Sequence, residues 1–383
     1  MATPELTWQQ VSARRLIRNH LSTPADSCPA DVVRALCGAH AQVLSAAELS
    51  IGLRICGATR DDTRKALWSE RSLVKTFGPR GTVHLLPTED LPMWTGALSA
   101  VPRTGQAPEA MRMTPDQTDE VIGAIAAALS DAELTVEELS AEVIAATGPW
   151  AGDLVMPAFQ TFWPRWRQVI SRAANAGVLC YGANKGRNAT YTNPHRWLPR
   201  FEPLDATEAL AELLRRYLHS YGPAAPQHFA QWLNAPKDFV AKLFRSLRDE
   251  LQEVELDGSA AWLLAGDTAM PTEPPTGVRL LPYFDSYVVG AHPRGLLYPG
   301  KAAERALAGG QAGNFPVVLV DGQVAGVWHQ RRSGRRLHVT VEPLRRLTAK
   351  QRRELDEQVE QVGLIVGAVP ELTIGEVSVG GHA

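Results

Sequence analysis

The sequence of 383 residues lacks the features of a membrane or secreted protein. No apolar run approaches the roughly 18–20 residues that span a bilayer, and the N-terminus has no apolar segment typical of a secretory signal. The four cysteines, Cys28, Cys37, Cys56 and Cys180, show neither a Cys-x-x-Cys pair nor a Cys/His metal spacing. We therefore expect a cytoplasmic protein whose cysteines are buried, reduced thiols.

The sequence also lacks the short motifs of several large enzyme classes. There is no Gly-rich phosphate loop, no His-Glu-x-x-His and no Gly-x-Ser-x-Gly. Nicotinamide-dependent, nucleotide-hydrolysing, zinc and serine-hydrolase chemistry are therefore without support. We expect a protein that needs no metal and no cofactor.

Lysine is scarce, because only seven of the 39 basic residues are lysine, and the formal net charge is −2. Such a protein does not coat nucleic acid through overall charge, but clustered arginines bind phosphates and can hold DNA locally. The clusters are Arg14, Arg15 and Arg18; Arg331, Arg332, Arg335 and Arg336; Arg345 and Arg346; and Arg352 and Arg353. A GC-rich genome would produce the same richness in arginine, so both explanations stay open.

Three segments repeat one plan, in which helices precede a strand, a turn and a strand. In the clearest copy, an amphipathic helix stops at Gly222-Pro223, two further helices follow, and Asp257-Gly258 joins the strands of a hairpin. In the second copy, a long helix around 159–177 precedes a hairpin with Lys185 and Arg187 at its tip. This plan is that of a winged helix, a fold that binds duplex DNA or serves in protein interactions.

From residue 277 onward the pattern changes to apolar or alternating strands, predicted within 278–290, 315–330 and 335–344 and followed by a helix at 348–366. We therefore predict an α+β fold of three tandem winged-helix domains and a small C-terminal antiparallel β-barrel. The predicted domains are 1–102, with an N-terminal helix and the candidate catalytic segment, then 113–200, 203–270, and 277–383 with the barrel and terminal helix. Segments 103–115 and 271–277 are predicted connections.

His40 and Gln42 are the most informative polar pair, because they lie in the segment His40-Ala41-Gln42 between two apolar helical runs. Side chains two residues apart share a face where the backbone is extended. Polar groups in an apolar setting cost free energy unless they have partners or a function. By spacing alone, the pair also suits helix-capping or hydrogen-bonded core side chains.

Other candidate residues lie in predicted turns and strands. Thr82 and His84 could contact phosphate beside Arg80, or form an ordinary strand surface, and Asp285 and Tyr287 could line a DNA cleft, although such an Asp also suits a structural hydrogen bond. The basic hairpin around Gly334 suits minor-groove or phosphate contact, or a solvated turn. The predicted DNA contacts are Arg14, Arg15, Arg80, Thr82, Lys185, Arg187, Arg331, Arg332, Arg335 and Arg336. The predicted core tryptophans are Trp163, Trp166, Trp232, Trp262 and Trp328.

Through these motifs the chain resembles the AlkZ/YcaQ-type bacterial DNA glycosylases over nearly its whole length. The similarity lies in His40-Ala41-Gln42 and in the longer blocks 73–86, 221–232, 280–290 and 316–332. The family's catalytic motif is Gln, an apolar residue, and then Gln or Asp. Gln42 matches the second position, as in the AlkZ-like branch, whereas His40 departs from the family at the first.

The resemblance implies a monofunctional DNA glycosylase that removes N7-alkylguanine, including bulky natural-product adducts and cross-links, and so protects the producing cell. N7 alkylation leaves guanine cationic, so the enzyme has only to orient a water at C1′ and stabilise an oxocarbenium-like sugar. The Gln42 amide can aim that water, and a neutral His40 can accept its proton, or instead contact phosphate or the lesion. No lysine in this segment supports Schiff-base chemistry.

The expected partner is double-stranded DNA carrying alkylated guanine, with no membrane, no obligate protein partner and a monomeric state. Two functions of other classes remain open. One is a non-enzymatic DNA-binding regulator or damage sensor, which would bind DNA in a salt-dependent way without releasing a base. The other is a resistance protein that sequesters the free toxin in the barrel.

Overall fold

The computed structural model describes residues 3–102, 105, 108–158, 160–198, 201–307 and 309–381. Residues 103–104 and 106–107 of the predicted connection at 103–115 lie outside these ranges. The fold is a mixed α+β arrangement of several small sheets and many helices. Across the described ranges, no helix combines the length and the apolar character that crossing a membrane requires.

The N-terminal segment and the first unit build the surroundings of His40 and Gln42. Their elements are β1 (Glu5–Leu6), α1 (Trp8–Arg18), α2 (Pro29–Ala35), β2 (Ala39–His40), α3 (Leu44–Gly52), α4 (Arg60–Trp68), β3 (Leu73–Phe77), β4 (Val83–Pro87) and α5 (Leu91–Ala100). The strands form a sheet in the order β2-β4-β3 with antiparallel pairing. The first copy of the repeated plan predicts a hairpin with its turn at Gly78–Gly81, and the antiparallel pairing of β3 with β4 confirms it.

The second unit contains the predicted wing and an unpredicted hairpin. Its elements are α6 (Pro115–Leu129), β5 (Leu134–Thr135), α7 (Val136–Thr147), β6 (Leu154–Ala158), β7 (Thr161–Pro164), α8 (Ile170–Asn175), β8 (Cys180–Tyr181) and β9 (Thr190–Thr192). Strands β8 and β9 pair antiparallel, and Lys185 bridges Asn188 at the tip. This confirms the hairpin predicted to carry Lys185 and Arg187.

The prediction of a long helix around 159–177 is wrong for the described residues 160–177. Residue 159 lies outside the described part of the chain. Strands β6 and β7 form a hairpin, and a 3₁₀ turn at Arg165–Val169 precedes the short α8. Pro164 explains the difference, since proline cannot continue a helical hydrogen-bond ladder. Trp163, predicted as core, is accordingly 40% exposed.

The third unit follows its prediction closely. Its elements are α9 (Ala206–Tyr221), α10 (Pro226–Leu233), α11 (Lys237–Ser246), β10 (Leu251–Leu256) and β11 (Ser259–Leu264). Helix α9 ends before Gly222, and the hairpin turns at Asp257 and Gly258, whose φ angles are 51° and 71°. These positive φ values are what the Asp-Gly pair predicts for a two-residue turn. Strand β1 extends the hairpin by pairing parallel with β10.

The C-terminal part is a five-stranded sheet rather than the predicted antiparallel barrel. Its elements are β12 (Val278–Leu281), α12 (Ser286–Gly290), α13 (Arg294–Leu297), α14 (Lys301–Ala306), β13 (Val317–Val320), β14 (Gln323–Ser333), β15 (Arg336–Pro343), α15 (Ala349–Val366) and β16 (Val369–Ile374). In the part of the chain that the structure describes, β12 and β16 are unjoined edges. Residues 286–290, predicted as strand, form α12.

The sheet stays open and mixed for identifiable reasons. Strands β15 and β16 are parallel because α15 connects them as a crossover, which an antiparallel pair does not need. Leu355 and Val359 of α15 cover one face of the sheet, and Leu16 and Tyr287 cover the other. With helices on both faces, the apolar surface is buried without closure into a barrel.

The cysteines and tryptophans divide between core and surface. Cys37 and Cys180 are buried as expected, whereas Cys28 and Cys56 are exposed, which contradicts the expectation for these two. Among the predicted core tryptophans, Trp166, Trp232 and Trp328 are buried. Trp262 is half-buried.

A buried ion pair joins the first unit to the C-terminal sheet. Arg54, which follows α3, donates to both carboxylate oxygens of Asp285 at 2.8 and 2.9 Å, and both side chains are fully buried. Ser50 also donates to Asp285 at 2.7 Å, and the same carboxylate accepts from Tyr287 N at the start of α12. Asp285 is thus satisfied by four hydrogen bonds from two parts of the fold.

Replacing Asp285 by Ala is expected to destabilise the protein by about 3–5 kcal/mol, because Arg54 would remain buried without its counter-charge. Urea denaturation of the purified variant measures this loss. Glu371→Ala is the control, since its pair with Arg336 is exposed and should contribute less than about 1 kcal/mol. A loss for Asp285→Ala no larger than that of the control would contradict the expected role.

Candidate active site

His40 and Gln42 lie where a short strand leads into helix α3. His40 ends β2 opposite His84 of β4, and Ala41 N continues the pairing by donating to Val83 O at 2.7 Å. His40 is buried, at 8% exposure, whereas Gln42 is exposed in the bend before α3. The expected extended segment between two helices is present, and the two side chains differ in their access to solvent.

Two aromatic rings fix the position of His40. The ring of Phe284 lies 4.5 Å from the His40 ring between centroids, and the ring of His84 lies 5.1 Å away in an edge-on arrangement. Phe284 directly precedes Asp285, and its backbone N donates to Gly313 O at 2.8 Å. The ion pair of Asp285 with Arg54 therefore also holds the ring that contacts His40.

His84 is a neutral neighbour of His40. Its Nδ1 donates to Thr82 O at 2.9 Å, which leaves the lone pair on Nε2. Burial, together with the proximity of His40 and Arg80, holds the pKa of His84 well below its usual range. The sequence leaves His84 as a phosphate contact or part of a strand surface, whereas the structure places it in the interior behind His40.

His40 lines a cavity of about 340 Å³ between the first unit, α10 and the C-terminal part. Arg80 and Thr82 belong to the same wall, and Phe284 and His292 lie on the C-terminal side. Gln42 is not part of the lining. The cavity thus combines one residue of the candidate pair with residues from distant parts of the sequence.

Arg80 and Thr82 are held by backbone carbonyls. Arg80 Nη1 donates to Trp232 O at 2.6 Å, and Thr82 Oγ1 donates to Pro79 O at 3.0 Å. Burial and the charge of Arg294 lower the pKa of Arg80 to about 10, so its guanidinium is protonated at neutral pH. Both residues stay candidates for DNA contact at the cavity.

Arg14 and Arg15 are contradicted as DNA contacts by their burial, at 3% and 0% exposure. Arg14 pairs with Asp267 at 2.8 Å and donates to Ala269 O. Arg15 donates to Pro223 O at 2.8 Å. Neither guanidinium lies at a surface that a DNA phosphate could reach, because helix α1 packs this side inward.

Asp285 and Tyr287 are likewise wrong as cleft-lining residues. Asp285 is buried in its ion pair with Arg54, which is the structural role that the sequence left open. Tyr287 is fully buried, and its hydroxyl oxygen lies 3.4 Å from Ser12 Oγ. Phe284 and Val289, which belong to the same block, are the residues that line the cavity.

The other predicted DNA contacts lie on two exposed hairpin tips. Lys185 and Arg187 are exposed, and Lys185 Nζ donates to Glu133 O at 2.7 Å. On the β14–β15 hairpin, Arg332 donates to Val366 O and Gly367 O, and Arg336 pairs with Glu371. The exposed arginines of that hairpin are Arg331, Arg332, Arg335 and Arg336.

Sequence reasoning missed most residues of the cavity, among them His292, Arg294 and Trp232. His292 and Arg294 follow the block 280–290 in a His-Pro-Arg tripeptide, a polar break after an apolar run that could have been noticed. Trp232 was predicted as core and is buried, but it also lines the cavity. No local pattern indicated that these residues meet His40.

The chain is similar to known DNA glycosylases in sequence and in fold. The chain matches the family model described as DNA glycosylase AlkZ-like over residues 33–364. It is 33% identical over 338 residues to an interstrand DNA cross-link repair glycosylase of Streptomyces sahachiroi, covering 84% of this chain and 87% of that protein. The structure is similar to that of the Streptomyces sahachiroi DNA glycosylase AlkZ, with a TM-score of 0.81, 29% identity, and coverage of 97% of this chain and 100% of that one.

We expect His84 to stay neutral between pH 5 and 8, as the Nδ1–H tautomer, because its interior position disfavours the charged ring. Nitrogen-15 spectra of histidine-labelled protein across this range measure both properties. The His84 signals are identified by their loss in His84→Phe, and the exposed His195 serves as reference in the same spectra. Titration of His84 within this range would contradict the expectation.

Proposed function

Because this chain belongs to the AlkZ-like DNA glycosylase family, we propose that it hydrolyses the N-glycosidic bond of N7-alkylguanine in duplex DNA and leaves an abasic site. The proposed substrates include bulky natural-product adducts and interstrand cross-links, and the proposed role is self-resistance. The name of the 33% identical relative, a cross-link repair glycosylase, supports this choice of substrate.

The observation that carries the proposal is the setting of the motif segment. His40 forms part of an open cavity, and Gln42 is exposed two residues away at the start of α3. A substrate at the mouth of the cavity can therefore meet both side chains. A helix-capping role for the pair is not supported, since α3 begins after Val43, which makes no side-chain cap.

The proposed mechanism uses a neutral site beside a cationic leaving group. Alkylated guanine carries its own positive charge, so departure needs no general acid. Gln42 accepts a hydrogen bond from water and orients it toward C1′, and neutral His40 accepts the proton as the C–O bond forms. The neutral ring of His84 behind His40 adds no further positive charge next to the sugar.

The proposed DNA contacts are residues on the exposed hairpins and the cavity wall. Each of the three units carries helices followed by a hairpin, and we interpret them as winged helices that meet the duplex. The contacts are Lys185, Arg187, Arg331, Arg332, Arg335 and Arg336 on the hairpins, and Arg80 and Thr82 at the cavity. The protein is proposed to act as a monomer.

Base release from alkylated duplexes tests the two motif residues. His40→Ala is expected to lower the rate by about 10²–10⁴-fold if the ring acts as base, and Gln42→Ala by about 10²-fold through a misplaced water. The substrates are an N7-methylguanine duplex and one with a bulky N7 adduct. His195→Ala and Gln252→Ala, at exposed positions of the same residue types, are the controls.

Rates unchanged in both motif variants would remove His40 and Gln42 from the mechanism. Salt-dependent DNA binding by the wild type without base release would favour a regulator or damage sensor instead. Tight binding of free toxin without DNA affinity would favour sequestration. The open C-terminal sheet gives this last function no closed container among the described residues.

A general-base His40 predicts that the wild-type rate falls as the pH is lowered from 8 to 5, the range in which histidine side chains ordinarily change charge, because protonation of His40 removes the base and places a cation beside a cationic lesion. The measurement is the single-turnover rate at saturating enzyme, so that binding does not limit it. The slope should be lost in His40→Ala and kept in Gln42→Ala. A flat wild-type profile would leave His40 only an orienting or lesion-contacting role.

A further inference from the structure

The cavity beside His40 carries positive charge without an acidic residue in its wall. Arg80 and Arg294 both line it, and none of the described residues around it is Asp or Glu. The remaining polar groups include the uncharged amides of Gln231 and Asn314. Cations enclosed without a counter-charge are costly, so an anion is the ligand that this cavity favours.

Arg294 supplies charge as part of the wall. Its Nη1 and Nη2 donate to the backbone carbonyls of Val288, Val289 and Ala291, the last at 2.8 Å. Burial lowers its pKa, but a guanidinium remains protonated at neutral pH. Carbonyl dipoles solvate this cation without cancelling its charge.

Arg80 has hydrogen-bonding capacity left for a ligand. Among the described residues its side chain makes a single hydrogen bond, from Nη1 to Trp232 O, whereas a guanidinium offers five N–H donors. Arg80 is half-buried, so a bound anion would be partly shielded from water. Arg80 is therefore the group best placed to contact the ligand directly.

His292 adds a neutral polar ring with an unused nitrogen. It is 4% exposed, and its Nε2 has no hydrogen-bond partner among the described residues. Its ring stacks on His228 at 4.8 Å. Burial, with the nearby Arg294 and His228, lowers the pKa of His292 to about 2, so the ring is uncharged. A buried nitrogen without a partner favours a ligand that supplies one.

Charge decides which part of the DNA fits here, since a volume of about 340 Å³ admits a nucleobase or a phosphodiester. A cationic N7-alkylguanine would meet two like charges, whereas a phosphate would meet opposite ones. We infer that the cavity binds a DNA backbone phosphate next to the lesion, with Arg80 as the direct donor and Arg294 and His292 as support. The identity of the ligand as DNA rests on the proposed function. The alkylated base then stays outside the cavity, which leaves room for a bulky adduct.

Phosphate neutralisation tests this inference without requiring catalysis. Duplexes with a central tetrahydrofuran abasic-site analogue carry one uncharged methylphosphonate, which is moved along the phosphates on either side. Fluorescence anisotropy measures their affinity for the wild type and for Arg80→Gln. At one position the methylphosphonate should weaken wild-type binding about tenfold. It should have little further effect in Arg80→Gln, because both changes remove the same contact.

Arg248→Gln is the matched control, because Arg248 is 82% exposed and outside the cavity, and it should keep the wild-type profile. The thermal midpoint of each variant reports folding. His292→Phe keeps an aromatic ring at the stacked position but removes the ring nitrogens. If Arg80→Gln does not fold, the same methylphosphonate series is measured with His292→Phe, and the effect of the sensitive methylphosphonate should again be smaller than in the wild type.

The inference would be overturned if the methylphosphonate lowered the affinity of wild type and variants equally at every position. It would also be overturned if the wild type did not bind these duplexes. Coupling at one phosphate in a protein that releases no base would support the phosphate site and count against the proposed function. The two proposals can therefore fail separately.

Discussion

The buried ion pair between Arg54 and Asp285 is the contact on which the candidate site depends. It joins the end of α3, the helix that follows Gln42, to the start of α12 in the C-terminal part. The same aspartate fixes Phe284 against the ring of His40. A buried ion pair adds little net stability over a well-packed apolar contact, so its main effect here is to set how the two parts of the site face each other.

The electrostatics of the site follow from burial more than from the number of charges. The protein is nearly neutral overall, yet the cavity beside His40 contains arginines and histidines without a carboxylate. The interior position keeps His84 and His292 uncharged, whereas Arg80 and Arg294 remain cations. In our proposals this separates two tasks: Arg80 and Arg294, supported by the uncharged ring of His292, bind backbone phosphate, and the uncharged ring of His84 lies behind His40, beside which the cationic base departs.

Local sequence patterns predicted much of the fold where turn chemistry is strong. Asp257-Gly258 adopts the positive φ angles expected of a hairpin turn, and the Asp-Gly pair at 321–322, between β13 and β14, does the same. Predictions from these patterns were wrong where an apolar run is compatible with both helix and strand. At 159–177, for example, Pro164 interrupts the predicted helix. Residues 286–290 form a helix because Asp285 caps it by accepting from Tyr287 N, a signal that the apolar pattern concealed. The prediction of a barrel was wrong because the closure of a sheet depends on what covers its faces.

The sequence by itself determined the helix-and-hairpin units, the family resemblance and the pair His40 and Gln42, because turn residues, periodicity and motifs are local properties. Only the tertiary structure decided that Arg14 and Arg15 lie inside, although their clustering looks like that of surface arginines. It also brought Phe284, His292 and Arg294 to His40 from far along the chain. Such contacts depend on how the units pack against one another, and no local pattern of residues records that packing.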